Sequence, residues 1–175
     1  KVYVEGYGYA IAADTGGYVH GALGRARERG ARTGFLLCTH PTDELRATHD
    51  VVIAPLVGPE VITGSTRMKA GTATKMVLNT ITTTAMVQLG KVHGNLMVDL
   101  VVTCQKLRDR GERILMETLG LDRPSAAELL DRADGHVKTA LVMGRLGVDR
   151  EEARRRLDEA GGRVAKAVGE GDEPS

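Results

Sequence analysis

Residues 58–75, GPEVITGSTRMKAGTATK, place one carboxylate (Glu60), five hydroxyls (Thr63, Ser65, Thr66, Thr72, Thr74), three cations (Arg67, Lys69, Lys75) and three glycines (Gly58, Gly64, Gly71) within one short stretch. Hydroxyls and cations spaced by glycine suit a phosphorylated polar ligand. The stretch follows an apolar run, residues 51–57, that reads as a buried strand, and leads into an apolar-periodic run, residues 76–89, that reads as a helix. It is therefore a strand-to-helix loop, and in an open α/β sheet ligands bind in the loops that leave the carboxyl ends of strands. Unpaired N–H groups at the start of the following helix favour an anion. On composition alone, a merely polar loop with Thr66 or Thr72 as N-cap and the lysines in solvent is equally compatible.

A second candidate cradle is Asp14-Thr15-Gly16-Gly17, between a strand-like segment (residues 2–13) and a helix over about residues 18–29 that Gly30 closes. A strand, a glycine turn and a helix start together can hold a phosphate. His40 falls at a strand's carboxyl end, where capping or solvent exposure competes with ligand contact. His93 and Asn95 stand beside a helix expected to start at Asn95, as caps or as ligand contacts. Asp99 interrupts an apolar face, and so either pairs with a cation or meets a subunit boundary.

The elements that position these residues alternate. A strand over residues 33–39 follows the first helix, a short helical piece spans 43–48, and a third strand begins at Val51. This β-α-β order implies a parallel sheet with right-handed crossovers. A helix over residues 69–89 follows the loop. Its run Thr80-Ile81-Thr82-Thr83-Thr84 is a poor intrinsic helix former, so packing is expected to sustain it. From Ser125 onward the elements are short helices. Ser125 to Glu128 and Asp149 to Glu152 both have the capping-box spacing, and an apolar stripe (Val137, Leu141, Val142, Leu146) ends at Gly147. His136 and Lys138 begin that middle helix, as exposed residues or as a cover over a neighbouring site. Residues 169–175 form a polar tail.

Composition narrows the functional classes. Hydrophobic residues make up 42% of the 175-residue chain and aromatics only 3%, so the core must be aliphatic. The 24 basic residues are balanced by 23 acidic ones, which gives no electrostatic case for nucleic acid or a membrane surface as partner. No signal peptide and no apolar run of about 18 residues occurs, and the expectation is a soluble cytoplasmic protein. Cys38 and Cys104 have no metal-ligand spacing and read as buried structural thiols. Neither a metal nor a cofactor is expected. The chain begins at Lys1 inside a strand-like segment, which suggests a piece of a longer protein.

The 58–75 stretch closely resembles the signature shared by N-acetylmuramic acid 6-phosphate etherases and the glucokinase regulatory protein, both built on the sugar isomerase (SIS) domain. Residues 88–107, QLGKVHGNLMVDLVVTCQKL, look like the etherase continuation. The resemblance implies an α/β fold: a partial SIS domain (flavodoxin-like, doubly wound parallel sheet) with its long helices over residues 1–120. A small all-α C-terminal domain, similar to a ubiquitin-associated fold, would cover 121–168. It implies the C-terminal part of the family's chain, with the two catalytic glutamates upstream, and a homodimer. The implied activity is that of a carbon–oxygen lyase. It would cleave the D-lactyl ether of N-acetylmuramic acid 6-phosphate to N-acetylglucosamine 6-phosphate and D-lactate in peptidoglycan recycling and amino sugar metabolism. The implied partner is a phosphorylated amino sugar, bound through Thr15, Gly16, Glu60, Ser65, Thr66 and Lys69, with Glu60 also placed to assist the acid–base pair. Arg67 stands between a ligand role and a structural salt bridge.

At the first turn the family usually carries a serine-glycine-x-threonine pattern, whereas this chain reads AADTGGYV with Asp14 in the serine's place. That substitution implies that Thr15 and the glycine N–H groups take over the phosphate while Asp14 caps the helix, or that the chain is a divergent SIS protein. The alternative function is a sugar-phosphate-binding regulatory module similar to the glucokinase regulatory protein.

Overall fold

The computed structural model describes residues 2–4, 9–13 and 17–171, with side chains from residue 17 onward. Two compact units, residues 1–82 and 83–175, divide the chain.

In the first unit, strands β1 (Val2–Val4) and β2 (Tyr9–Ala13) pair antiparallel. The single strand expected over residues 2–13 is therefore two. Helix α1 (Gly17–Glu28) leads to β3 (Arg32–Leu36), and α2 (Asp43–Thr48) to β4 (Val51–Ile53). The sheet order is β1-β2-β3-β4, and β2, β3 and β4 run parallel, as the alternating β-α-β pattern requires. The fold is thus mixed α/β with a small parallel sheet.

Of the strands with described side chains, β3 is the buried one: Phe35 is fully buried, and Val19 and Leu23 of α1 pack with Phe35 and Leu37. The Leu37 N–H donates to the Ile53 carbonyl at 3.0 Å and carries the pairing one residue past β3. At the other end, both the N–H and the hydroxyl of buried Thr33 donate to Asp50, at 2.7 and 3.0 Å. Thr42 caps α2 by accepting from the Leu45 N–H.

Helix α3 (Lys69–Gln88) has no buried residue, and Met76 and Met86 are exposed. The packing expected to sustain its threonine run buries none of these residues. The Thr80 and Thr82 hydroxyls donate back to the carbonyls of Met76 and Leu78, both at 2.9 Å, which satisfies them along the helix itself. Gly90, at φ +67, ends the helix in a Schellman arrangement: its N–H donates to the Val87 carbonyl and that of Lys91 to the Met86 carbonyl.

In the second unit, residues expected to begin a helix at Asn95 instead form a hairpin of β5 (Val92–His93) and β6 (Leu96–Met97). The two-residue Gly94-Asn95 connection, with Gly94 at φ +55, is a hairpin turn with glycine first. His93 and Asn95 consequently cap no helix. Asp99 follows the pair and binds two cations, Lys91 at 2.6 Å and Lys138 at 3.1 Å. Burial works against its charge, but these two ammonium groups outweigh it and hold its carboxyl below the usual range.

Among the described residues this unit continues with five helices: α4 (Gln105–Leu119), α5 (Arg123–Arg132), α6 (Val137–Leu146), α7 (Arg150–Glu159) and α8 (Val164–Ala167). Leu115, Leu130, Val137, Leu141 and Val142 are completely buried at its centre, an aliphatic core as composition demands. The α5 cap is Asp122, whose carboxylate accepts from the Ser125 N–H at 3.0 Å. Ser125 is therefore inside the helix and not its cap, because Pro124 fits the first turn. The Asp149 cap of α7 and the Gly147 stop of α6 stand where the sequence puts them. Buried Glu112 is held by Arg108 and Arg123, which also reach Asp131 and Asp109.

Candidate functional site

The carboxyl end of β3 and the loop between β4 and α3 enclose a cleft of about 770 Å³, within the size range of small-molecule sites. Leu36 and Leu37 line it together with Cys38, Thr39, Glu60, Thr63, Thr66 and Thr74. Gly58 and Gly64, at φ +70 and +83, allow the loop to fold back over the helix start.

Glu60 is the structural key of the loop. One carboxylate oxygen accepts from the Lys69 N–H at 3.0 Å and the other from the Ala70 N–H at 3.1 Å. Helix α3 has no acidic residue in its own first turn, so a carboxylate nine residues upstream satisfies two of its otherwise unpaired donors. The hydrogen bond from the Lys69 N–H, then that from Ala70, holds the Glu60 carboxyl below its ordinary range; burial works against them, and the Lys69 charge adds a lesser contribution in the same direction as the bonds. A carboxylate so stabilised is a weak base and a good hydrogen-bond acceptor.

Of the residues singled out in the sequence, Glu60 and Thr66 line the cleft and Ser65 and Lys69 do not. The Ser65 N–H closes a turn to the Ile62 carbonyl at 3.0 Å. The Lys69 ammonium donates to the Pro59 carbonyl at 3.0 Å. Arg67 is exposed and makes no ion pair among the described residues. Thr15 and Gly16, with Asp14, lie outside the described residues. His40 is exposed.

Cys38, Thr39, Thr63 and Thr74 were not singled out as site residues, yet all line the cleft. Cys38 is half-buried, not a buried core thiol, because it lies two residues beyond β3, where the chain leaves the sheet. Its Sγ is 3.5 Å from the Ala70 carbonyl and 3.5 Å from the Thr74 hydroxyl. Cys104 is exposed just ahead of α4, again contrary to the buried-thiol expectation. The parallel order of β2, β3 and β4 was the signal available for Cys38 and Thr39, since it aligns their carboxyl ends on one side of the sheet.

Among the described residues, no group of three His, Cys, Asp or Glu side chains is placed to hold a metal ion, and no helix is long and apolar enough to cross a membrane.

No protein-family model matches the chain. Curated proteins do. The N-acetylmuramic acid 6-phosphate etherase of Synechococcus elongatus is 56% identical over 131 residues, covering 75% of this chain and 42% of the relative. The chain is a homologue of these etherases. The enzyme of the same name from Nostoc punctiforme is 53% identical over 132 residues, 75% of this chain and 42% of the relative. That from Salinibacter ruber is 55% identical over 126 residues, 72% of this chain and 40% of the relative. Matches of such length in a 175-residue chain necessarily include the 58–75 loop. The matched stretch spans about two-fifths of the length of these curated relatives.

Proposed function

We propose that this etherase homologue supplies the sugar-holding part of an enzyme that cleaves the D-lactyl ether of N-acetylmuramic acid 6-phosphate. The supporting observation is the 52–56% identity to proteins named for that activity, joined to a cleft built from the loop that those matches contain. In this reading the parallel sheet is part of a sugar isomerase domain, and the protein works as a cytoplasmic homodimer on a phosphorylated amino sugar.

The chemistry requires the open-chain sugar, whose aldehyde acidifies the hydrogen on C2. A carboxylate removes that proton, an acid protonates the departing lactate oxygen, and water adds to the resulting unsaturated aldehyde. Each positioned acid or base contributes about 10²- to 10⁴-fold. Glu60, tied to two N–H groups, suits ligand binding better than proton transfer, which agrees with the upstream acid–base pair that the family resemblance implies. Thr39, Thr63, Thr66 and Thr74 offer hydroxyls to the sugar. Thr15 and Gly16 are the proposed phosphate contacts.

The test is a chimera in which this chain replaces the matching stretch of the Synechococcus elongatus etherase, assayed for D-lactate release beside the isolated 175-residue chain. Release by the chimera, and none by the isolated chain, is the expected result. A folded chimera that neither binds the substrate nor releases lactate refutes the proposal. Binding without release, in both proteins, favours a regulatory sugar-phosphate module.

A further inference from the structure

We infer that the cleft between the carboxyl end of β3 and the start of α3 takes an uncharged, hydroxyl- or amide-bearing part of the ligand and turns its phosphate away, with Glu60 as the selecting acceptor. The inference rests on the sugar-phosphate reading above and divides that ligand into two ends.

Three observations carry it. Glu60 is the one formally charged side chain among the described residues that line the cleft, and none of those residues is Lys, Arg or His. The N–H groups of Lys69 and Ala70, which would otherwise attract an anion at the helix start, are already filled by the Glu60 carboxylate at 3.0 and 3.1 Å. The ammonium group of Lys69 is bound to the Pro59 carbonyl and is not part of the lining. A phosphate dianion entering here would meet a fixed negative charge and, among the described lining residues, no countercharge.

A donor would meet the opposite situation. An ionised carboxylate has about four lone-pair sites, of which the backbone of α3 uses two. The remaining sites can accept from a sugar O–H or an acetamido N–H, charge-assisted and so stronger than a neutral pair. The threonine hydroxyls around it can donate or accept. The loop whose composition suggests a phosphate cradle is thus built to hold the sugar's other end, and the phosphate must be bound outside this cleft.

The test uses the isotope-labelled 175-residue chain and follows the amide resonances of Gly58, Gly64 and Gly71 by NMR while N-acetylglucosamine, N-acetylglucosamine 6-phosphate or inorganic phosphate is added. The expected result is that both sugars move these three amides and phosphate alone does not. Glu60→Gln should weaken N-acetylglucosamine binding by about tenfold or more. Inorganic phosphate moving these amides overturns the inference, as does tighter sugar-phosphate binding by Glu60→Gln; the sugar-phosphate reading survives both. Sugar phosphate that shifts amides only elsewhere has the same meaning. If neither sugar shifts any amide, the sugar-phosphate reading itself fails and the inference falls with it. Because the probe comparison is made on the unmodified chain, it holds even if the variant folds poorly.

Discussion

Gly90 is where the end of α3 meets the turn before α8, and substituting it gives a prediction whose size can be worked out in parts. At φ +67 an alanine carries the left-handed penalty, about 1–2 kcal/mol. Its Cβ would also lie 2.8 Å from Arg163 Cγ, 3.0 Å from the Gly162 carbonyl oxygen and 3.1 Å from the Arg163 nitrogen. Two of those atoms are backbone and cannot swing aside, so overpacking adds about 1–3 kcal/mol. Gly120 provides the control. It too closes a helix at positive φ, +69, but a Cβ there meets nothing within 4 Å. Both glycines belong to the 83–175 unit, and the gain from a stiffer unfolded chain is common to both. Gly120→Ala should therefore cost about 1–2 kcal/mol, and Gly90→Ala about 1–3 kcal/mol more. Urea unfolding followed by circular dichroism measures the pair, with unchanged slopes showing that native stability is what moved. If the two variants agree within about 0.5 kcal/mol, the close approach of Gly90 to residues 162–163 carries no energy and the reasoning fails.

Three further outcomes are expected. Leu141→Ala, at a fully buried position, should lower stability by about 2–5 kcal/mol in the same unfolding experiment. Acid should weaken the 1–82 unit. Asp50 is held low by the Thr33 N–H and then by its hydroxyl, and Glu60 by the Lys69 and Ala70 N–H groups. Their stabilisation is complete above the unfolded carboxylate values of about 4 and lost as pH falls through the lower folded values. Urea midpoints should thus hold from neutrality to about pH 5 and then drop, and Asp50→Asn should flatten that drop. Finally, Cys104 should react with a maleimide well before half-buried Cys38, as mass spectrometry of the labelled peptides will show; equal rates would contradict the exposure difference.

Much of the frame was legible because its signals are local. The short helix over 43–48 forms where expected, Gly147 ends α6 and Asp149 starts α7, each of the last two within one turn of the helix it punctuates. The parallel pairing of β3 with its neighbours follows from the alternation of strands and helices. What failed was decided by competing local cues or by distance. Asn95 can cap a helix, but Gly94 beside it makes a two-residue hairpin turn, and the turn prevailed. Ser125 has the capping-box spacing, yet Asp122 one turn earlier has the cap because Pro124 fits the first turn. The part of Glu60 in holding the start of α3 was invisible, since nine residues separate it from its partners and no short pattern links them. The resemblance of residues 58–75 identified the relatives; it did not disclose that the loop's one carboxylate would cancel the pull of the helix start on an anion.

The order in which elements touch has a consequence for how the chain acquires its structure. In the 83–175 unit each helix from α4 to α8 packs on the next in sequence, contacts of short separation that form quickly. In the 1–82 unit Tyr9 must find Arg32 across the whole of α1, and Gly34 must find Val51 across α2, pairings that close slowly. A ribosome delivers these segments in the opposite order, with the sheet first and the helices last. The strands of the cleft-bearing unit are thus made early and zipped late, and in that interval the all-apolar β4 and the Phe35-Leu36 end of β3 wait in water for their partners.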